Sequence, residues 1–205
     1  MPADGPSRTG HEEISDPRRI RALAHPLRIE LMDVLGDVPD GLTATECATR
    51  TGESVASCSF HLRTLARYGY VEPGERRGRE KPWRLVSRMH DFRPALGSPS
   101  GLAALEEMIS YQVDYEFARL RESIHRLGTD HPVWRDASAL TSASFWVTAD
   151  ELAQVQRDLV SIWSRFAKRN DDPSRRPDGS RPISFFAAAL VDYAREARDA
   201  RAGTT

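Results

Sequence analysis

The stretch that decides the fold is SVASCSFHLRTLARYGYVEPGERRGREKPW, residues 54–83. Val55, Cys58, Leu62 and Leu65 recur at steps of three, four and three, which is the period of a helix with one buried face. Ser54 stands where an N-cap belongs, and Gly69 closes the helix. Beyond it, YVEPGERR and EKPWRLV read as the two strands of a hairpin whose tip is Arg77, Gly78 and Arg79. Cys58 and His61 stand three positions apart, a spacing two metal ligands can share. Two ligands leave a site incomplete, and Cys58 lies on the apolar stripe, so a core thiol beside a packing or phosphate-facing histidine is expected, with no metal.

Upstream, LTATECATRTG puts Thr43 and Glu46 at capping-box spacing, with Leu42 and Cys47 placed to staple the helix start. Gly52 ends that short helix. Further back, SDPRRIRALAHPLRIELMDVLG offers Asp16 or Ser15 as a cap, Pro17 at a first helical position, and Ile20, Leu23 and Leu27 as an apolar stripe. His25 and Pro26 interrupt it, and a second helix carries Leu27, Leu31, Val34 and Leu35 inward as far as Gly36. Two short helices joined by a tight turn and followed by a basic hairpin describe a winged helix-turn-helix, here over residues 16–92.

The whole chain of 205 residues has a formal net charge of -1, which hides a local asymmetry. Residues 54–93 carry nine Arg and Lys against four Asp and Glu, a net charge of about +5 that would attract a polyanion. With the apolar residues of 54–67 turned inward, the outward set suits double-stranded DNA: Ser54, Ser57, Ser59, Phe60, His61, Arg63, Thr64 and Arg67, with Ser59 and His61 on the flanks. Arg77, Arg79 and Lys81 would extend this surface across the wing, over a minor groove. Phe60 suits either a thymine methyl group or a neighbouring loop or partner chain.

The order LAHPLRIELMDVL, LTATECATRTG, SFHLRTLARYGYVE and RRGREKPWRLV resembles the DNA-binding core of the ArsR-type transcriptional regulators, over about residues 18–87. The resemblance implies a mostly helical homodimer that an inducer releases from operator DNA. It does not extend to that family's metal-sensing sites. The helix before residues 54–67 has one thiol where a Cys-x-Cys pair would be needed. Residues 101–127 offer Asp114, Glu116, Glu122 and His125 but no Asp-x-His.

After a linker at residues 93–100, the steps among Leu102, Leu105, Ile109, Val113, Phe117, Leu120, Ile124 and Leu127 approach a heptad seam that needs a partner helix, most simply that of a second copy. ASFWVTADELAQVQRDLVSIWSRFAKR then predicts a short strand, a capping box at Thr148 and Glu151, and a helix with Leu152, Val155, Leu159, Ile162, Trp163 and Phe166 inside. NDDPSRRPDGSRP reads as a flexible loop, and ISFFAAALVDY as either a buried strand or the start of a last helix. Trp134, Phe145, Trp146, Trp163 and Phe166 are candidates to line a pocket for a small apolar effector.

The expected organisation is therefore mainly α with a small β wing. A flexible tail covers residues 1–15, the winged domain 16–92, and a helical module for dimerisation and effector binding 101–205. No Ser/His/Asp grouping, metal-complete cluster or phosphate-cradling glycine loop is present, so neither an enzyme nor a cofactor protein is expected. No apolar run reaches the ~18 residues of a membrane span, and the N-terminus lacks the apolar core of a secretory signal, so a cytoplasmic protein is expected. The leading reading is a sequence-specific DNA-binding regulator, a homodimeric repressor on an inverted repeat. A protein-docking winged helix, or a regulator responding to oxidation of Cys47 and Cys58, are the alternatives.

Overall fold

A computed structural model of the chain describes residues 11–92 and 99–202. In chain order its elements are β1 (His11–Ile14), α1 (Pro17–Arg21), α2 (Pro26–Gly36), α3 (Ala44–Thr51), α4 (Val55–Arg67), β2 (Val71–Pro73), β3 (Trp83–Leu85) and β4 (Met89–Phe92). There follow α5 (Pro99–Leu127), α6 (Pro132–Ala137), α7 (Ala149–Asp171), a 3-10 turn at Pro173–Arg175, and α8 (Tyr193–Ala202). Most of the residues lie in helices, and the sheets are two-stranded, as the mainly α reading requires.

Local chemistry sets the helix boundaries. Asp16 accepts a hydrogen bond from Arg18 N at 2.9 Å and Pro17 occupies the first turn, so α1 starts there. Thr43 and Glu46 close their capping box reciprocally, with Thr43 N donating to Glu46 Oε2 at 2.7 Å and Glu46 N to Thr43 Oγ1 at 3.2 Å. Ser54 Oγ accepts from Ser57 N at 3.1 Å and opens α4. Gly52 ends α3 in the left-handed conformation at φ 74°. Leu42 and Cys47 are both buried at the start of α3, where the staple was expected.

The core beneath α2, α3 and α4 gathers Leu27, Leu31, Leu35, Cys47, Cys58, Leu62 and Leu65. Tyr70 seals it from the far end of α4: its hydroxyl donates to Arg19 O at 2.8 Å, while Arg19 Nε donates to Tyr68 O at 2.9 Å. Those two bonds fix α1 to the C-terminal end of α4. The wing is the antiparallel pair β2 and β3, in the register Val71↔Leu85, Glu72↔Arg84 and Pro73↔Trp83. Leu42 adds a further rung, exchanging backbone bonds with Trp83 at 2.9 and 2.7 Å. A Cβ on Gly41 (φ 79°) would lie 2.2 Å from Trp83 O, so this approach of the wing to the start of α3 requires glycine.

Several expectations need correction. Residues 1–10 of the expected tail lie outside the described residues, but residues 11–14 are not tail: β1 pairs in parallel with β4, and Ile14 enters the core. An apolar residue with a core position to fill ordered the segment. Residues 93–98 of the expected linker also lie outside the described residues, whereas Pro99 and Ser100 already belong to α5. Nor does α5 begin a separate module. Gly101, Ala104 and Met108 are buried on the side facing α1 and α2, where the first two, being small, permit close approach. Two to three turns further on, Asp33 of α2 accepts from Tyr115 OH at 2.9 Å and from Arg119 Nη1 at 2.7 Å. The opposite stripe, Leu102, Ile109, Phe117 and Ile124, is exposed.

The chain divides into two compact units, one running through Ala139 and taking in Ala167–Arg176, the other comprising Leu140–Phe166 and the chain from Pro177 onward. In the second, residues 144–148 form no strand, and 182–192 form neither strand nor helix before α8 begins at Tyr193. The capping box at α7 does form, with Thr148 N donating to Glu151 Oε2 at 2.7 Å and Glu151 N to Thr148 Oγ1 at 3.3 Å. Of the stripe expected inside α7, Leu152, Val155, Leu159 and Trp163 are half-buried, while Ile162 and Phe166 are exposed. Ile183, Phe185, Phe186, Leu190 and Val191 are also exposed, so many of this unit's apolar side chains are left uncovered among the described residues.

Candidate nucleic-acid interface

Helix α4 divides cleanly into two faces. Cys58, His61, Leu62 and Leu65 are buried against the domain, at helical steps of three, one and three. Ser54, Phe60, Arg63 and Arg67 are exposed, with Ser57, Ser59 and Thr64 half-buried between them. Val55, expected inward, is exposed instead: it occupies the first helical position, ahead of the buried run that starts at Cys58. Thr64 Oγ1 donates to Phe60 O at 3.1 Å, which occupies its hydroxyl proton and leaves its methyl group and oxygen lone pairs available.

The wing, whose strand β2 packs on α4, holds its cations in two distinct ways. Arg79 and Lys81 are exposed and form no ion pair among the described residues. Arg77 is committed to the fold: Nη2 donates to Asp40 O at 3.2 Å and Gly41 O at 3.0 Å, and Nη1 lies 3.6 Å from Glu46 Oε1. It therefore ties the wing tip to the turn before α3, while Gly78 (φ 64°) lets the chain reverse between Arg77 and Glu80. Arg63 and Arg67 on α4 are likewise without ion pairs among the described residues. Four exposed cations with no internal partner make a surface that can neutralise phosphates.

His61 sits deeper than the flank on which the sequence placed it, at 9% exposure. Its ring lies 4.3 Å from that of His25, and its Nδ1 is 3.5 Å from Arg28 Nη1. His25 in turn caps α2, with Nδ1 accepting from Leu27 N at 3.1 Å. Sequence reasoning missed this cluster although two signals pointed to it. His61 is one helical step after Cys58 on the buried face, and His25 precedes a proline at a helix start.

Both imidazoles are held below the ordinary value of 6.5, His25 by burial and then by Arg28, His61 by burial and then by His25 and Arg28. Glu53 opposes the shift at both, less strongly. The unfolded chain therefore takes up these protons first, so stability falls as pH drops below about 6.5. Glu30 and Glu116, raised by burial, act in the opposite sense at lower pH. His25→Asn keeps an acceptor for Leu27 N but removes one titrating ring. Thermal melts at about pH 7 and pH 5.5 should show a smaller acid-induced drop for this variant than for the native chain. Equal drops in both would contradict the role given to His25.

The thiols face inward. Cys47 and Cys58 are fully buried and unbonded to each other, and burial pushes the Cys47 thiol up to about 12. A buried thiol so hard to ionise is a poor nucleophile for oxidants. Among the described residues, no group of three or more His, Cys, Asp or Glu could hold a metal ion. Of the aromatic residues expected around an effector, Trp134 falls in the first unit, and Phe145, Trp146, Trp163 and Phe166 in the second. Trp146 is 72% exposed, with the Arg195 guanidinium 5.2 Å from its ring centre, and Phe145 is exposed too.

Residues 23–73, from just before α2 through β2, match the model of a family described as a helix-turn-helix domain. No curated protein matches the chain. No helix among the described residues is long and apolar enough to cross a membrane. The match and the two-faced α4 agree: this part of the chain is a helix-turn-helix domain of the DNA-binding kind.

Proposed function

We propose that the chain is a transcriptional regulator of the ArsR type, a homodimer that occupies an inverted-repeat operator as a repressor. The observation that carries this reading is the outward face of α4. Ser57, Phe60, Arg63, Thr64 and Arg67 stand on a helix whose other side is locked into the core, beside a wing carrying Arg79 and Lys81. Side chains of this kind on a rigid helix can enter a major groove while the wing cations meet phosphate or a minor groove. Arg77, although named with them in the sequence, acts by holding the wing in place, and His61 by supporting the helix from behind.

The exposed stripe of α5 supplies the second half of the reading. Leu102, Ile109, Phe117 and Ile124 recur about every two turns on a helix whose other side is already occupied by α1 and α2. A second copy covers such a stripe by symmetry and sets the two α4 helices at a fixed spacing. A small apolar effector would meet the exposed aromatic residues of the second unit, Phe145 and Trp146 first, and weaken DNA binding. Oxidation of Cys47 or Cys58 is disfavoured as the signal by their burial.

Enrichment of duplexes from a random-sequence pool by the full-length chain tests this function. An enriched, salt-sensitive sequence is the expected result. A pool that stays random, with a stable hetero-complex in pull-down, would favour a protein-docking winged helix instead.

A further inference from the structure

We infer that Phe60 is the residue by which this protein selects thymine, through contact of its ring with the thymine C5-methyl group in each half-site; the inference rests on the DNA-binding role proposed for α4. Phe60 is 57% exposed, on the same face as Ser57, Arg63 and Thr64. What marks this exposed ring is its place, among the hydroxyl and guanidinium groups of the outward face of α4, where a ligand with both apolar and hydrogen-bonding surface would suit it. In the major groove the thymine methyl group is such a surface, displayed among hydrogen-bonding edges and absent from the other bases. At that exposure the ring is not enclosed by a loop of its own chain among the described residues. Among the described residues its ring neighbour is His61, the next residue, which it meets edge-on at 5.1 Å and 87°.

That neighbour matters for the contact. His61 is itself pinned between the His25 ring and Arg28, so Phe60 stands on a fixed support rather than on a mobile side chain. One turn earlier lie Ala56 and Ser57, short enough to let the helix approach the bases and bring the ring within reach. One turn later lie Arg63 and Thr64, a guanidinium for a guanine or phosphate and a methyl-bearing hydroxyl. The pairing gives a half-site in which a thymine is read beside a position read by Arg63.

The test replaces thymines by deoxyuridine, one symmetric pair at a time, in the duplex enriched from the random pool. Removing the methyl group Phe60 touches should weaken binding of the native chain about fourfold per half-site, or about fifteenfold for the symmetric pair. Phe60→Ala should bind the thymine and uracil duplexes equally, and Phe60→Leu should retain part of the discrimination. The position is exposed, and unchanged thermal melts will show that both variants fold. An enriched half-site without thymine, or a uracil penalty that persists in Phe60→Ala, overturns the inference while leaving the DNA-binding reading intact. A change in oligomeric state on Phe60→Ala overturns it as well, by assigning the ring to a partner chain. No binding to the thymine duplex by the native chain overturns both.

Discussion

Replacing Arg63 and Arg79 together by alanine is expected to lower affinity for the enriched duplex by about two orders of magnitude and to flatten its salt dependence. Both side chains are exposed and unpaired among the described residues, one on α4 and one at the wing tip, so neither substitution removes a contact that stabilises the fold. The two losses should differ in kind. Arg63 stands amid the residues proposed to face base edges, and its loss should relax sequence preference. Arg79 is placed for phosphate or the minor groove, so its loss should weaken all duplexes alike and reduce the log–log salt slope by about one per lost phosphate contact. Fluorescence anisotropy at several salt concentrations separates these effects. Unchanged affinity in the double variant would remove α4 and the wing from the interface.

Ile109→Glu combined with Phe117→Glu is expected to produce a monomer, with operator affinity reduced by about 100-fold or more because two half-sites are no longer bound by one particle. Both residues lie on the exposed stripe of α5, away from the buried Gly101, Ala104 and Met108. The winged domain therefore keeps its core. Two carboxylates per chain, facing their symmetry mates across an apolar seam, oppose association both by repulsion and by loss of apolar burial. Sedimentation reads the mass and anisotropy the affinity. A native chain that is monomeric while bound to DNA, or a variant that remains dimeric, would contradict the role given to α5.

Much of the winged domain was legible in the sequence because its signals are local. Caps at Asp16, Thr43 and Ser54 and left-handed glycines at Gly52 and Gly69 each depend on a few neighbouring residues and form as read, and the apolar period of 54–67 holds at Cys58, Leu62 and Leu65 though not at Val55. What escaped the sequence was decided by distant partners. Ile14 becomes a core residue only because β4 returns beside it, and Arg77 becomes a tether only because Gly41 brings the turn before α3 against the wing. In α5 the strong leucine and phenylalanine period drew attention to the exposed stripe. The docking side is marked by small residues, Gly101 and Ala104, and by a polar pairing to Asp33 that no hydrophobic pattern announces.

The second unit was the least legible, for a related reason. Its apolar residues are abundant, yet segments such as 182–192 adopt neither of the regular conformations their composition allows, and Phe185 and Leu190 face outward. Periodicity reports which side of a helix or strand seeks burial. It cannot report whether the covering surface belongs to the same chain.

The most direct test of the account is the symmetry of the DNA that the full-length chain enriches from a random pool. A dimer presenting two α4 helices predicts an inverted repeat whose half-site centres lie about 10 base pairs apart, bound by two chains per duplex. A single unrepeated motif bound by one chain, or no enriched sequence at all, would contradict it.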